Sequence, residues 1–287
     1  METFISCVTI IPCEGMTVTK RVFLGPHETK LLFSLESREA DLFDLRAVQG
    51  ILGVGENAAA KVVHRLKGKG RVIRVRKGEY LLVPARAGEG GSWSENVFRV
   101  LGVLLREDYY VGFWTALNYW GMTEQIPRAV HVVIPGRRRA FRFQGQPVRF
   151  VTLKRAFIFG RVAQPLERGS FYVSDREKTL LDGLLFPEYS GGVSEVAKAL
   201  PSARREIRWT RLLAYERRLG VDAVGRRLGY LLELLDLEPS VRRRLGRDHP
   251  GFRWLDPSAP KLRLGYSQRW GLILNVEPSD LREGGGI

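Results

Sequence analysis

The sequence predicts an α+β protein: an N-terminal winged helix-turn-helix, then a mixed α/β C-terminal domain with an antiparallel sheet and C-terminal helices. Three observations predict it. A helix, a tight turn, a second helix and a hairpin follow one another between Asp44 and Pro84. Residues 85–92, ARAGEGGS, have the composition of a linker and place a domain boundary there. Beyond the linker, short β-branched runs fill 130–173, and apolar-periodic helical segments follow. The expected domains are an N-terminal arm over 1–25, the winged domain over 26–86 and a C-terminal domain over 93–282.

The arm carries scattered apolar residues, among them Phe4, Ile10, Ile11 and Val22. Pro26 suits the first turn of a helix, and 27–37 then places Leu31, Leu32 and Leu35 on one face. A short strand at 40–43 is expected to join the sheet of the hairpin. Leu45, Val48, Ile51 and Leu52 recur at helical spacing behind Asp44, a suitable N-cap. Gly53 to Gly55 make the turn. The second helix begins near Glu56, turns Ala59, Val62, Val63 and Leu66 inward, and stops at Gly68 and Gly70. The runs 72–75 and 80–83 flank Arg76-Lys77-Gly78-Glu79, a hairpin with a basic tip.

In a winged helix-turn-helix the second helix lies in the DNA major groove. Here its polar face carries Asn57, Lys61, His64 and Arg65. Nine basic residues (Lys61, Arg65, Lys67, Lys69, Arg71, Arg74, Arg76, Lys77, Arg86) stand against one acidic residue, Glu79, over 61–86. Asn and Arg read base edges, while Lys and Arg neutralise phosphates. Asn57, Lys61, His64 and Arg65 are therefore expected at the groove. Arg74, Arg76 and Lys77 are expected to hold the backbone, with Lys67 and Lys69 adding to the contact. The plainer alternative is a solvated basic helix.

Over the 287 residues, 46 Lys and Arg outnumber 31 Asp and Glu, a formal charge of +15 that calls for a polyanionic partner. No apolar run is long enough for a bilayer, and the N-terminus lacks the basic start of a signal peptide. The expected location is the cytoplasm, with no membrane partner. Cys7 and Cys13 have no histidine near them in sequence and make no zinc pattern. No motif calls for a cofactor or metal.

In the C-terminal part, 93–106 reads as an amphipathic helix, with Trp93, Val97, Val100, Leu101 and Leu104 on one face. A second helix over 113–121 bears Phe113, Trp114, Tyr119 and Trp120, spaced as core residues; a base-stacking platform is the alternative. Strands are expected at 130–134, 140–143, 147–153, 157–162 and 171–173. Between 127 and 166 there are nine basic residues and no acidic one. They include Arg137, Arg138, Arg139 and Arg142, a candidate second DNA-contacting surface. Ser174 with Glu177 has the form of a capping box, and Lys178 with Asp182 that of an exposed i,i+4 pair. Further helices are expected at 192–200, ended by Pro201, and at 203–219, 221–237 and 239–245. Their arginines, Arg226 and Arg227 included, are placed on outer faces. The tail is expected to add one strand near 273–276.

Several stretches carry a family resemblance. The winged module ending in Arg76-Lys77-Gly78-Glu79-Tyr80 resembles the N-terminal domain of AbiEi-type antitoxins. YVGFWTALNYWGMTEQIP (110–127), VHVVIPGRRR (130–139) and VSDREKTLLDGLL (173–185) resemble that family's C-terminal part. The most specific is Asp175, Glu177, Lys178, Leu180, Leu181 and Asp182. The resemblance covers roughly residues 27 to 200; the first 25 residues and the Arg-rich helices from Arg204 depart from it. It implies a transcriptional regulator that binds duplex DNA near its own promoter, and an antitoxin partnered by a nucleotidyltransferase-like toxin. Oligomeric state is left open.

Two rival functions follow from the same residues. Lys178 beside Asp182 is a Schiff-base candidate of the kind used by abasic-site lyases and base-excision glycosylases. Phe113 and Trp114 with Arg137, Arg138 and Arg139 suit a binder of structured or single-stranded nucleic acid. No phosphate-binding loop, zinc-protease or nucleophile-elbow motif is present, so no enzyme is expected.

Overall fold

The computed structural model describes residues 23–38, 40–76, 78–83, 97–105, 108–143, 146–166, 169–246 and 249–282. The chain divides into two compact units, 1–94 and 95–287. It is an α+β protein. The expected arm before Phe23, the linker over 85–92 and both cysteines lie outside the described residues.

The N-terminal unit runs α1 (Pro26–Ser37), β1 (Leu42–Asp44), α2 (Leu45–Leu52), α3 (Glu56–Gly68), β2 (Val72–Arg76) and β3 (Glu79–Leu82). These bounds differ from the expected ones by a residue or two at most ends. The Asp44 carboxylate accepts from the Ala47 amide at 2.8 Å and starts α2. Gly53 ends α2 at φ 70°, a left-handed cap that suits glycine. The three strands form an antiparallel sheet in the order β1-β3-β2. Leu31, Leu35, Val48, Ala59, Val62, Val63, Leu66 and Val72 close the core between helices and sheet.

In the C-terminal unit, α4 (Val97–Leu105) leads to β4 (Tyr110–Val111), α5 (Phe113–Tyr119), β5 (Val130–Ile134), β6 (Phe141–Phe143), β7 (Gln146–Thr152), β8 (Arg161–Pro165) and β9 (Ser170–Ser174). The expected strand at 157–162 starts later, because a 3-10 turn takes up Arg155–Phe157. The sheet is mixed rather than antiparallel: its order is β6-β7-β5-β4-β9-β8, with β5/β7 and β4/β9 parallel. Parallel neighbours need crossover connections, which local sequence patterns do not register.

Helices α6 (Arg176–Leu185), α7 (Val193–Ala203), α8 (Trp209–Leu219), α9 (Asp222–Leu234) and α10 (Pro239–Leu245) follow. Pro201 sits inside α7 rather than ending it, and the expected helix at 203–219 starts at Trp209. The tail makes three strands instead of one, β10 (Arg253–Trp254), β11 (Gly265–Ser267) and β12 (Leu272–Leu274), ordered β10-β12-β11, then α11 (Pro278–Arg282). Arg226 and Arg227 are buried, not outward. Arg226 donates to the carbonyls of Pro250, Gly251 and Gly271 and pairs with Asp222, so it pins the tail to α9.

The capping box is also corrected. Asp175, not Ser174, caps α6, accepting from the Lys178 amide at 2.8 Å. Glu177 accepts from the Arg208 amide at 2.7 Å and so holds the start of α8. Lys178 and Asp182 are fully buried, not an exposed pair. The Lys178 ammonium pairs with Asp182 and donates to the Tyr110 hydroxyl at 3.0 Å, and Tyr110 donates to Asp182 at 2.7 Å. Gly160, at φ 62°, crosses this site so closely that a Cβ would lie 2.9 Å from the Lys178 Cβ. Burial, together with the Asp182 carboxylate, pushes the Tyr110 hydroxyl well above its ordinary range. Removing one partner of a buried pair strands the other charge, at a cost of about 3–5 kcal/mol. Lys178→Ala is expected to destabilise the protein by about that much in chemical denaturation, and Lys178→Met/Asp182→Leu by clearly less.

Candidate nucleic-acid interface

The apolar side of α3 (Ala59, Val62, Val63, Leu66) is sunk in the N-terminal core, which fixes the rotation of the helix. That rotation leaves Asn57, Lys61, His64, Arg65 and Lys67 exposed. Four of them, with Ala60 between, line one shallow depression: Asn57, Lys61, His64 and Arg65. A polar amide, an imidazole and two cations thus share one helical face at i, i+4 and i+7/i+8 spacing.

Two of the expected contact residues are held by the protein itself. Arg65 Nε donates to Glu28 Oε1 at 2.7 Å, and Lys69 Nζ pairs with Glu28 Oε2. Lys69 also donates to the Phe23 carbonyl at 2.7 Å. Arg65 keeps half of its side chain in solvent, while Lys69 is largely covered. Lys69 is therefore a brace between α1 and the end of α3, not a freely reaching phosphate contact. Arg74 is exposed on β2, Arg76 ends that strand, and Lys77 lies outside the described residues.

Sequence reasoning missed Glu28. Its carboxylate is buried on α1, where Oε2 also accepts from the Gly25 amide at 2.9 Å. The signal was present: Glu28 falls in register with Leu31, Leu32 and Leu35, a charge within an apolar stripe. Burial alone would raise this carboxyl, but hydrogen bonds from Lys69, Gly25 and Arg65 outweigh it and hold it at about 2 against an ordinary 4.5.

In the C-terminal unit, Arg137, Arg138 and Arg139 are exposed in the connection after β5, and Arg142 is exposed on the edge strand β6. Arg138 lies over the Phe150 ring at 5.7 Å. Arg149, Lys154 and Arg155 extend the exposed basic surface, with Arg155 paired to Asp108 at 2.9 Å. Beneath it, His131 is buried between Phe113 and Tyr189; burial, then Arg149, lowers it to about 4 and keeps it neutral near pH 7.

A solved protein has a similar fold. It is the RV2827C protein from Mycobacterium tuberculosis, whose crystal structure matches at a TM-score of 0.66, covering 92% of this chain and 96% of that chain. At 14% identity, the likeness to RV2827C shows the fold and transfers no site residue. No protein-family model matches the sequence, and no curated protein matches it.

The geometry weighs on the rival chemistries. Lys178 has no exposed surface, so it offers no amine to an abasic sugar. Phe113 is fully buried, and Trp114 and, just past α5, Trp120 are partly buried against the core, so these aromatics are largely used in packing. Among the described residues no His, Cys, Asp and Glu group is arranged to hold a metal ion, and no helix is long and apolar enough to cross a membrane.

The Glu28 cluster carries a pH prediction. A carboxyl lowered on folding stabilises above its unfolded value, and that stability is lost as pH falls through the folded one. The melting-temperature advantage of the natural protein over Glu28→Gln is therefore expected to be full above pH 4.5 and to shrink as pH falls toward 2. A pH series of thermal melts checks it.

Proposed function

We propose that this chain is a sequence-specific duplex-DNA-binding regulator of transcription. In this reading the N-terminal unit works as a winged helix-turn-helix, with α3 in the major groove and the β2–β3 hairpin against the backbone. One observation carries the reading: a core-anchored helix turns Asn57, Lys61, His64 and Arg65 outward on a single face. An amide and a guanidinium are side chains that read base edges, and the surrounding cations suit phosphates. The formal charge of +15 favours a polyanion.

The resemblance to AbiEi-type antitoxins supports an autorepressor acting in the cytoplasm. It also makes a nucleotidyltransferase-like toxin the candidate protein partner, a point that rests on resemblance alone. In the same reading the surface around Arg137, Arg138, Arg139 and Arg142 adds sequence-independent phosphate contacts.

Binding should then weaken steeply with salt. If four phosphates are neutralised, affinity is expected to fall by about two decades between roughly 50 and 200 mM salt. Fluorescence anisotropy with a promoter duplex measures it; a flat salt dependence argues against the reading. Asn57→Ala should narrow the gap between the preferred and a scrambled duplex. Arg74→Ala should weaken both about equally.

A further inference from the structure

We propose that Glu28 is a positioning residue for base recognition: from beneath the interface it orients the Arg65 guanidinium toward the major-groove edge of guanine. The inference rests on the duplex-reading function above and adds a residue and a base to it.

The Glu28 carboxylate has almost no contact with solvent, and both its oxygens are used. Oε2 takes the Gly25 amide and the Lys69 ammonium, so the carboxylate is fixed to the start of α1 and the end of α3. Oε1 takes Arg65 Nε at 2.7 Å. A guanidinium is planar, so fixing Nε with a rigid acceptor restrains the rotation of the whole group. Among the described residues Arg65 has no other partner, and about half of its side chain is exposed, at 52%. The two terminal nitrogens thus remain as a forked donor on the face shared by Asn57, Lys61 and His64.

Charge fits the same role. A carboxylate paired with Arg65 alone would cancel its charge, but Lys69 shares Glu28. One carboxylate facing two cations leaves a net positive charge at the helix surface. The forked donor matches the O6 and N7 acceptors of guanine, the commonest specific arginine contact, and restraint before binding lowers the ordering cost. A purely structural tie between α1 and α3 would need only Lys69 and the Gly25 amide.

The test uses the full chain and a duplex chosen by selection from a random pool. Each guanine of the preferred site is replaced in turn by 7-deazaguanine, which lacks the N7 acceptor. Anisotropy is read for the natural protein, Arg65→Ala and Glu28→Gln, with melting curves showing that each is folded. Glu28→Asp, whose carboxylate falls one methylene short, is measured alongside in case Glu28→Gln does not fold. The natural protein is expected to lose about tenfold at one guanine. Arg65→Ala and the Glu28 variant should cut that loss to about twofold, while affinity for a scrambled duplex changes less than about threefold. Full discrimination in the folded Glu28 variant, or an equal loss on all duplexes, overturns the positioning role and leaves duplex reading intact. If no guanine depends on Arg65, the inference also fails. If the natural protein binds no duplex, the regulator reading fails with it.

Discussion

The C-terminal unit is arranged around a charge that water does not reach. Lys178 lies inside α6, shared between Asp182 one turn on and the Tyr110 hydroxyl from β4. An isolated ammonium there would be very costly, so the fold is bound to supply both partners. Supplying them brings the sheet against α6, and α5, α7, α8 and α9 pack around the same helix. The rings of Tyr110 and Phe159 lie about the ammonium at 5.3 and 5.0 Å. Ser174, Asp175, Glu177 and Thr179 of the same segment are buried too, while Arg176 stays partly exposed. Asp175 accepts from Tyr215 at 2.9 Å and Glu177 holds the first turn of α8, so this segment ties helices together.

The N-terminal unit uses the same device on a smaller scale. Glu28 is a buried carboxylate satisfied by two cations, Arg65 of α3 and Lys69 at its C-cap, and satisfying it locks α1 to α3. The two clusters differ in one respect. Lys178 and Asp182 are sealed, whereas the Glu28 cluster reaches the surface through Arg65. A sealed network specifies packing; one with an exposed end also transmits packing to whatever meets the surface. That difference is one of exposure: Lys178 and Asp182 have no solvent-facing surface, and Arg65 keeps about half of its side chain in solvent.

The sequence made some of this legible. Leu31, Leu35, Val48, Val62 and Leu66 recur at helical spacing, and that alone located the three helices of the first unit and the outward set on α3. Periodicity reports which apolar residues turn inward and is silent about inward charges. In sequence, Glu28, Lys178, Asp182, Arg226 and Arg227 therefore go unnoticed or look solvent-facing. Each shares a face with apolar neighbours, as Lys178 does with Leu181, and each is satisfied by a residue far off in sequence. The parallel pairings β5/β7 and β4/β9 were hidden for the same reason. So was the three-stranded tail, whose short strands pair across sequence gaps, with Leu262 and Leu264 exposed in the connection before β11.

In the proposed function the outward face of α3 meets duplex DNA. Site-specific photocrosslinking tests that contact without relying on affinity. A benzophenone side chain is placed at Lys61, on that face, or at Phe33, an exposed aromatic of α1, and the full chain is irradiated with its labelled promoter duplex. Strong crosslinking from position 61 and little from position 33 is the predicted result. Equal crosslinking from both, or crosslinking from position 33 alone, would contradict it.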